Sequence, residues 1–282
     1  MKNIFQIIAV LGVLLVCKNV SAQWNERNYW EFGLMLGGSS YHGELTERLN
    51  NTEDWNAASS FIMKYHFDRT SSLRFAISAG TISGNDLNSI YAWRRNRNLN
   101  FRSRILDVSF VPEIHLFTGP AFNRGIHPYV SAGFAFAYFN PKANLNNEWI
   151  DLQPLGTEGQ GLIYNGAPGD KYSLTTLAFP LGLGIEAHVG NSWFLSVDVR
   201  YNVTLTDYLD DVSTYYPSQS AMLAAYGVGS NNVVLSDRRL VPENSTTGSL
   251  DDLRGDPQNK DRYLFFGIVL SKKMISMPCN AF

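Results

Sequence analysis

Apolar and polar positions alternate along most of this chain with a period of two, the spacing that puts successive side chains on opposite faces of a β-strand. Trp30, Phe32, Leu34 and Leu36 share one face of the first segment, against Glu31, Gly33, Met35 and Gly37. In the second, Phe61, Met63, Tyr65 and Phe67 oppose Ile62, Lys64 and His66. In the third, Leu73, Phe75, Ile77 and Ala79 oppose Arg74, Ala76, Ser78 and Gly80. The fourth runs over about 101–117, with Val108, Phe110, Pro112, Ile114 and Leu116 against Asp107, Ser109, Glu113 and His115. Proline cannot donate to a ladder, so Pro112 predicts a bulge. A fifth segment, about 129–139, sets Val130, Phe134, Phe136 and Tyr138 against Ser131, Gly133 and Ala135. A sixth sets Leu177, Phe179, Leu181, Leu183 and Ile185 against Thr176, Gly182, Gly184 and Glu186. The seventh is the cleanest: Trp193, Leu195, Val197, Val199, Tyr201 and Val203 alternate with Ser196, Asp198, Arg200 and Asn202. The eighth, about 262–270, is apolar on both faces, so the pattern leaves its register open.

The connections alternate too. Short ones fall at 68–72, 118–127 and 188–192, and long ones at 38–58, 84–100, 141–172 and 205–260. This rhythm predicts an all-β fold: an eight-stranded antiparallel up-and-down transmembrane β-barrel with its long loops outside the cell. A soluble eight-stranded barrel with a ligand inside is the rival. It requires an apolar inner face, whereas here each strand carries its charges on one face and its bulky apolar residues on the other. That division suits lipid outside and a polar interior.

The beginning of the chain agrees with that compartment. Lys2, an uncharged apolar run from Ile4 to Val16, and Val20-Ser-Ala22 form the pattern of a cleaved leader, so residues 1–22 are expected to be removed and 23–282 to form the barrel. Cleavage there leaves Cys279 as the single cysteine and no internal disulfide. Only 17% of residues are charged and 13% are aromatic, including 14 Tyr, 17 Phe and 6 Trp. Such an aromatic share fits the girdles of a membrane barrel. The formal net charge of -2 argues against nucleic acid as a partner.

With the apolar faces outward, the lumen receives Glu31, Lys64, Arg74, Asp107, Glu113, Glu186, Asp198 and Arg200, with His66 and His115 nearby. An eight-stranded barrel has room for side chains and little else. Unpaired buried charge is costly, so these groups are expected to pair and plug the lumen. No Gly-x-Ser-x-Gly elbow, Cys-x-x-Cys or His-Glu-x-x-His pattern is present. The chain therefore reads as non-enzymatic, with no cofactor, no metal and no small-molecule substrate. Asp207, Asp210 and Asp211 are close enough in sequence to suggest calcium, but they lack EF-hand spacing, and carboxylates bonded to loop backbone are the ordinary alternative. Arg94, Arg95, Arg97, Arg102 and Arg104 form the strongest basic cluster, suited either to lipid phosphates or to a solvated face. Gly156, Gly159, Gly161 and Gly166 precede no helix pattern and suggest a compact loop over the barrel mouth.

Four blocks carry a family resemblance. Glu31-Phe-Gly-Leu-Met-Leu-Gly-Gly-Ser-Ser-Tyr41, followed by Gly43-Glu-Leu45, resembles the opening of the PorG-like outer-membrane barrels of Bacteroidota. So do Arg97-Asn-Leu-Asn-Phe-Arg102, Asp151-Leu-Gln-Pro-Leu-Gly-Thr-Glu-Gly-Gln-Gly161 and Thr206-Asp-Tyr-Leu-Asp-Asp-Val-Ser213. The residues carrying the two longest loop blocks are Asp151, Gln153, Pro154, Gly156, Glu158, Gly159, Gly161, Asp207, Tyr208, Asp210 and Asp211. The resemblance implies a structural or assembly component of the type IX secretion apparatus, beside a periplasmic ring of PorK-like and PorN-like proteins. The alternatives are a surface binding or adhesion barrel and a closed barrel that stabilises the envelope. A ring would meet the 118–127 turn, the segment 23–29, or the tail from 271, where Lys272 and Lys273 precede Met274, Ile275 and Met277.

Overall fold

The computed structural model describes residues 28–46, 52–116, 126–164, 167–189, 192–240 and 253–274. The expectations for the leader, for the tail beyond Met274 and for most of the 118–127 turn lie outside these residues. In chain order the strands are β1 (Tyr29–His42), β2 (Asn56–His66), β3 (Ser71–Asn85), β4 (Asn100–His115), β5 (Ile126–Ala132), β6 (Phe134–Leu145), β7 (Glu148–Asp151), β8 (Ile163–Tyr164), β9 (Ala167–Pro168), β10 (Thr175–His188), β11 (Trp193–Thr204) and β12 (Arg262–Met274). Three short helices, α1 (Ala92–Arg97), α2 (Gln219–Tyr226) and α3 (Asn231–Ser236), lie in the long connections.

The sheet closes on itself. Each of β1 to β4 pairs antiparallel with its sequence neighbours, β5 and β6 pair with β4 and β10, β10 pairs with β11, and β11 with β12. β12 then returns to β1, with Leu34 opposite Leu270 and Tyr41 opposite Tyr263. Segments β5 and β6 are one barrel strand interrupted at Gly133, since Phe110 faces Phe134 and Glu113 faces Ser131 in unbroken step. The result is an all-β, up-and-down antiparallel barrel of eight strands with no free edge.

The expected bulge at Pro112 is absent. Leu73 faces Pro112 in the same register that pairs Asn85 with Asn100. The missing donors of Pro112 and Pro180 instead coincide with the pause at Gly133, whose N–H bonds the Pro180 carbonyl at 3.1 Å. A Cβ on Gly133 would lie 2.1 Å from the Phe110 carbonyl oxygen, so the close approach requires glycine there. Several strands also run longer than their patterns. β1 continues to His42 and β6 to Leu145, which moves part of the expected loops into the wall.

Alternation places Leu34, Leu36, Phe61, Ile77, Leu106, Phe136, Leu183, Val197 and Ile268 on the outside, all exposed. Trp30, Phe67 and Trp193 stand near the short-turn end and Tyr138 toward the long-loop end. The register of β12, open in the sequence, is set from within the barrel. Tyr263, Phe265, Val269 and Ser271 face inward, where the Tyr263 hydroxyl donates to Asp107 at 3.1 Å and Ser271 donates to Glu31 at 2.6 Å. Lys272, Lys273 and Met274, at the start of the tail, belong to the wall, where β12 pairs them with Phe32, Glu31 and Trp30 of β1.

The interior has two zones. The half near the short turns is polar and charged. The half near the long loops is an apolar core of Tyr41, Leu45, Ile82, Phe101, Phe139 and Phe265, into which Leu209 and Val212 insert from the connection after β11. Gly184 shows how closely the lumen is filled, because a Cβ there would lie 2.1 Å from the Tyr129 ring. Overpacking of this kind costs about 1–3 kcal/mol. Gly184→Leu is therefore expected to lower the temperature at which the folded form is lost, read as the change in migration between unheated and boiled samples on a denaturing gel. Unchanged thermal resistance would mean that the lumen has spare room at Tyr129.

Candidate functional site

All eight lumen charges nominated from the alternation are buried, six of them in one network and Asp107 and Arg200 in a second group nearer the loops. The Lys64 ammonium lies 3.6 Å from Glu31, 3.3 Å from Glu113 and 3.2 Å from Glu186. His66 is 2.8 Å from Glu31, and Ser72 donates to Glu113 at 3.3 Å. Arg74 pairs with Glu113 through Nε, reaches both Asp198 oxygens at 3.0 and 3.1 Å, and donates to the Tyr129 hydroxyl, which itself donates to Asp198 at 2.5 Å. Nearer the loops, Arg200 lies 3.5 Å from Asp107 and donates to Ser109 and Ser78. His115 is 4.0 Å from Glu186. The geometry is that of a plug: each cation is caged by acceptors from strands across the barrel.

Above the plug, the long connections form a dome. The two loop blocks that lie far apart in sequence become one unit there. Glu158 accepts from the backbone N–H of Ser213 at 2.8 Å and Thr214 at 3.1 Å, and from the Thr214 hydroxyl at 2.7 Å. Thr157 donates to Asp211, Tyr172 donates to the same carboxylate at 2.6 Å, and the Tyr172 and Tyr208 rings stack at 4.4 Å. Gly156, Gly159 and Gly161 all have positive φ, which lets the chain turn sharply enough to present Thr157 and Glu158. Gln153 donates to the Tyr172 carbonyl, the Pro154 carbonyl accepts from Lys171, and Asp151 accepts from Asn140 and pairs with Lys142. Gly166 lies outside the described residues.

Two arginines tie the remaining connections in. Buried Arg254 reaches Glu158 at 3.1 Å and the Asp211 backbone carbonyl. Arg97 clamps Asp86 with two 2.8 Å bonds while donating to the Arg254 and Glu44 carbonyls. Arg97 thus leaves the basic cluster in which the sequence placed it. Helices α2 and α3 join the dome through Leu235, packed with Ala143 and Leu152, and through Met222 and Val233, packed with Leu162.

The aspartates of the 206–213 block do not converge on one point. Asp211 turns to Thr157 and Tyr172, Asp207 to Ser213, and Asp210 to Tyr41. Asp210 meets Glu44 and Asp261 instead, one carboxylate oxygen from each lying within 4.8 Å of the others. The Tyr41 hydroxyl sits among them, 2.7 Å from Asp210, 2.5 Å from Asp261 and 3.5 Å from Glu44. These are the described residues whose oxygen donors are grouped closely enough for a hard cation. Shared protons satisfy the same geometry, because one phenol proton cannot serve three carboxylates. Burial, then the neighbouring Asp207, pushes the Glu44 carboxyl up to about 7. Burial raises Asp210 and Asp261 well above the carboxylate range, reinforced by Glu44 for the first and by Asp210 for the second. Burial likewise raises Asp207 and Asp211 to about 6. Beside the cluster opens a cleft of about 590 Å³, lined by His42, Glu44, Trp93, Arg254, Lys260 and Arg262 among others. Asp86, Arg254 and Asp261 were not singled out in the sequence, since their partners lie from 11 to 220 residues away.

A closed antiparallel barrel with an apolar exterior, a charge-plugged lumen and a domed mouth is the class these features define. Residues 3–152, just over half of the chain, match the model of DUF6089, a domain of unknown function, and the protein belongs to that family. Among solved structures, it is similar to Ail, the attachment invasion locus protein of Yersinia pestis, in complex with the heparin analogue sucrose octasulfate. The identity is 8% and the TM-score 0.41, over 88% of this chain and 100% of that one. Neisserial surface protein A matches at 10% identity and TM-score 0.40 over 88% and 100%, and the outer membrane protein OprG from Pseudomonas aeruginosa at 9% and 0.37 over 88% and 95%. No curated protein matches the sequence. The fold assignment stands on the strand pairing.

Removing one partner from a buried charge network costs about 3–5 kcal/mol, because the other charge stays buried and uncompensated. Arg200→Ala is expected to cost about that much, read by thermal loss of the gel-shifted form, with no rise in ion conductance across planar bilayers. Conductance without loss of stability would overturn the plug. The dome titrates in the opposite sense to an ordinary salt bridge. Its Glu44, Asp207 and Asp211 carboxyls have raised pKa values, so their stabilising contribution is complete below the unfolded value near 4 and is lost as pH rises through about 6 to 7. The Leu209 and Val212 amides, which donate to Asp261 and Asp210, report this opening. After correction for intrinsic rates, their hydrogen-exchange protection is expected to fall between about pH 5 and about pH 8. Glu44→Gln, which leaves Asp207, Asp210, Asp261 and Tyr41 in place, is expected to flatten that fall.

Proposed function

We propose that this protein is a non-enzymatic outer-membrane barrel serving as a structural or assembly component of the type IX secretion apparatus, contacting a periplasmic ring. The observation that carries the membrane part is the outward belt. Leu36 is 72% exposed, Leu183 63%, Phe136 62% and Ile268 58%, an apolar surface running round the barrel that water does not tolerate and lipid does. Among the described residues no helix is long and apolar enough to cross a membrane, so any crossing is made by the strands. The long connections then face outward from the cell and the short turns face the periplasm, as in outer-membrane barrels generally.

The plugged lumen and domed mouth support a scaffold in preference to a conduit. A lumen whose centre is filled by buried Lys64, Arg74, Arg200 and their acceptors leaves little room for water. The secretion role rests on the resemblance of the 31–45, 97–102, 151–161 and 206–213 blocks to the PorG-like barrels, together with the dome that brings the last two into contact. PorK-like and PorN-like ring proteins are the partners this reading requires. A surface-binding barrel is the second reading, favoured by the exposed Ile90, Tyr91 and Trp93 in the connection that carries α1.

Affinity purification of the tagged protein from gently solubilised outer membrane of its own host, followed by mass spectrometry, tests the choice. PorK-like and PorN-like proteins are expected in the eluate. Recovery of the barrel alone, under conditions that keep the ring intact, would overturn the secretion role. Co-migration of boiled and unboiled samples, with solubility in the absence of detergent, would overturn the membrane barrel itself.

A further inference from the structure

The basic cluster of the 94–104 stretch is split by the fold into two populations. Arg97 is buried on Asp86, whereas Arg102 and Arg104 stand exposed on the outward face of β4, at its long-loop end. Below them on the same face follow Leu106, Val108, Phe110 and Ile114 of the apolar belt, so Arg104 stands about 7 Å along the strand from the first lipid-facing leucine. The neighbouring strands leave room for both guanidinium groups. On β3, Ser83 faces Arg102 and Thr81 faces Arg104; on β6, Lys142 faces Arg102 and Asn140 faces Arg104. The outward positions around the pair are therefore small hydroxyls, an amide and a third cation. The Asp151 carboxylate nearby is taken by Lys142 at 2.9 Å and by Asn140 at 2.9 Å. Among the described residues, neither Arg102 nor Arg104 has a carboxylate partner. Arg102 instead packs 5.9 Å from the Trp149 ring, a cation–π contact that holds the guanidinium at the rim.

We infer that Arg102 and Arg104, supported by Lys142, form a binding site for the phosphate headgroup of an outer-leaflet lipid whose chains lie along the Leu106–Ile114 face. The inference rests on the membrane reading above. The chemistry follows from the placement: guanidinium groups bind phosphate oxygens in pairs, and the long arginine stems lie along apolar surface while their heads reach the headgroup level. A solvated pair of like charges held side by side without a carboxylate partner of its own would repel. A phosphate carrying up to two negative charges relieves that repulsion, and the belt below supplies the lipid chains with the contact a soluble anion lacks.

Native mass spectrometry of the protein released from non-ionic detergent, titrated with bis-phosphorylated lipid A or with the same lipid stripped of phosphate, tests this. The wild type is expected to retain the phosphorylated lipid about tenfold more tightly, with the preference shrinking as salt is raised. Arg102→Gln/Arg104→Gln is expected to abolish the preference while keeping heat-modifiable migration. Arg102→Lys/Arg104→Lys, which keeps the charge and loses the paired donors, is expected to retain part of it. Arg95→Gln, which removes one positive charge in α1, is expected to leave it intact. Four results would overturn the site: no preference in the wild type, full preference in the glutamine variant, equal loss in Arg95→Gln, or displacement of the lipid by inorganic phosphate alone. If the protein enters phosphatidylcholine vesicles yet shows no phosphate preference, the membrane reading stands and the lipid site falls. If it stays out of vesicles altogether, both fall.

Discussion

The structure depends on one constraint: the Lys64 ammonium is buried where no bulk water reaches it, so three carboxylates must surround it. Glu31, Glu113 and Glu186 come from β1, β4 and β10, strands that meet only if the sheet curls into a ring. The same holds for Arg74 on β3 and its partner Asp198 on β11. A flat sheet would leave these charges in water and gain nothing from them. The closed ring brings them together in a medium where leaving one unpaired is costly. Closure and charge pairing are thus a single event, and they explain why small residues such as Gly184 line the inner wall wherever Tyr129 or an arginine must pass.

The dome obeys the opposite electrostatic rule. Below it acids meet bases, whereas at the Tyr41 cluster within it acids meet acids. Glu44, Asp210 and Asp261 crowd one tyrosine hydroxyl, and burial raises the pKa of each. Such a cluster is held in place by what surrounds it: the apolar plug of Leu209 and Val212 beneath, and the Arg97 and Arg254 clamps beside it. The loops are accordingly ordered by the barrel mouth they cover, and they add a pH-sensitive element to it.

The outer surface completes a division into three environments. Outward-facing apolar residues occupy the middle of each strand, aromatic and basic side chains mark the rims, and polar connections lie beyond. The short-turn rim carries Trp30, Trp193 and Lys272, the last over the Trp193 ring at 5.3 Å. The long-loop rim carries Arg102, Arg104 and Tyr138. The proposed assembly role would draw on the first rim and the proposed lipid headgroup on the second, so the two need not compete for the same face.

Much of this was legible in the sequence. Alternation alone placed Glu31, Lys64, Arg74, Asp107, Glu113, Glu186, Asp198 and Arg200 on one face, because a strand's period of two is a local property of backbone geometry. The eight-strand count and the alternating loop lengths followed from the same signal. The register of β12 was not legible, since both its faces are apolar; inward bonds from Tyr263 to Asp107 and from Ser271 to Glu31 decide it. Nor did spacing reveal that Asp210 belongs with Tyr41 and Asp261, 169 and 220 residues from that tyrosine, in preference to its neighbour Asp211. Local pattern determines which way a side chain points from its own strand. Which groups it meets there is decided by closure of the ring and by loops folding back over it, contacts that no segment contains by itself.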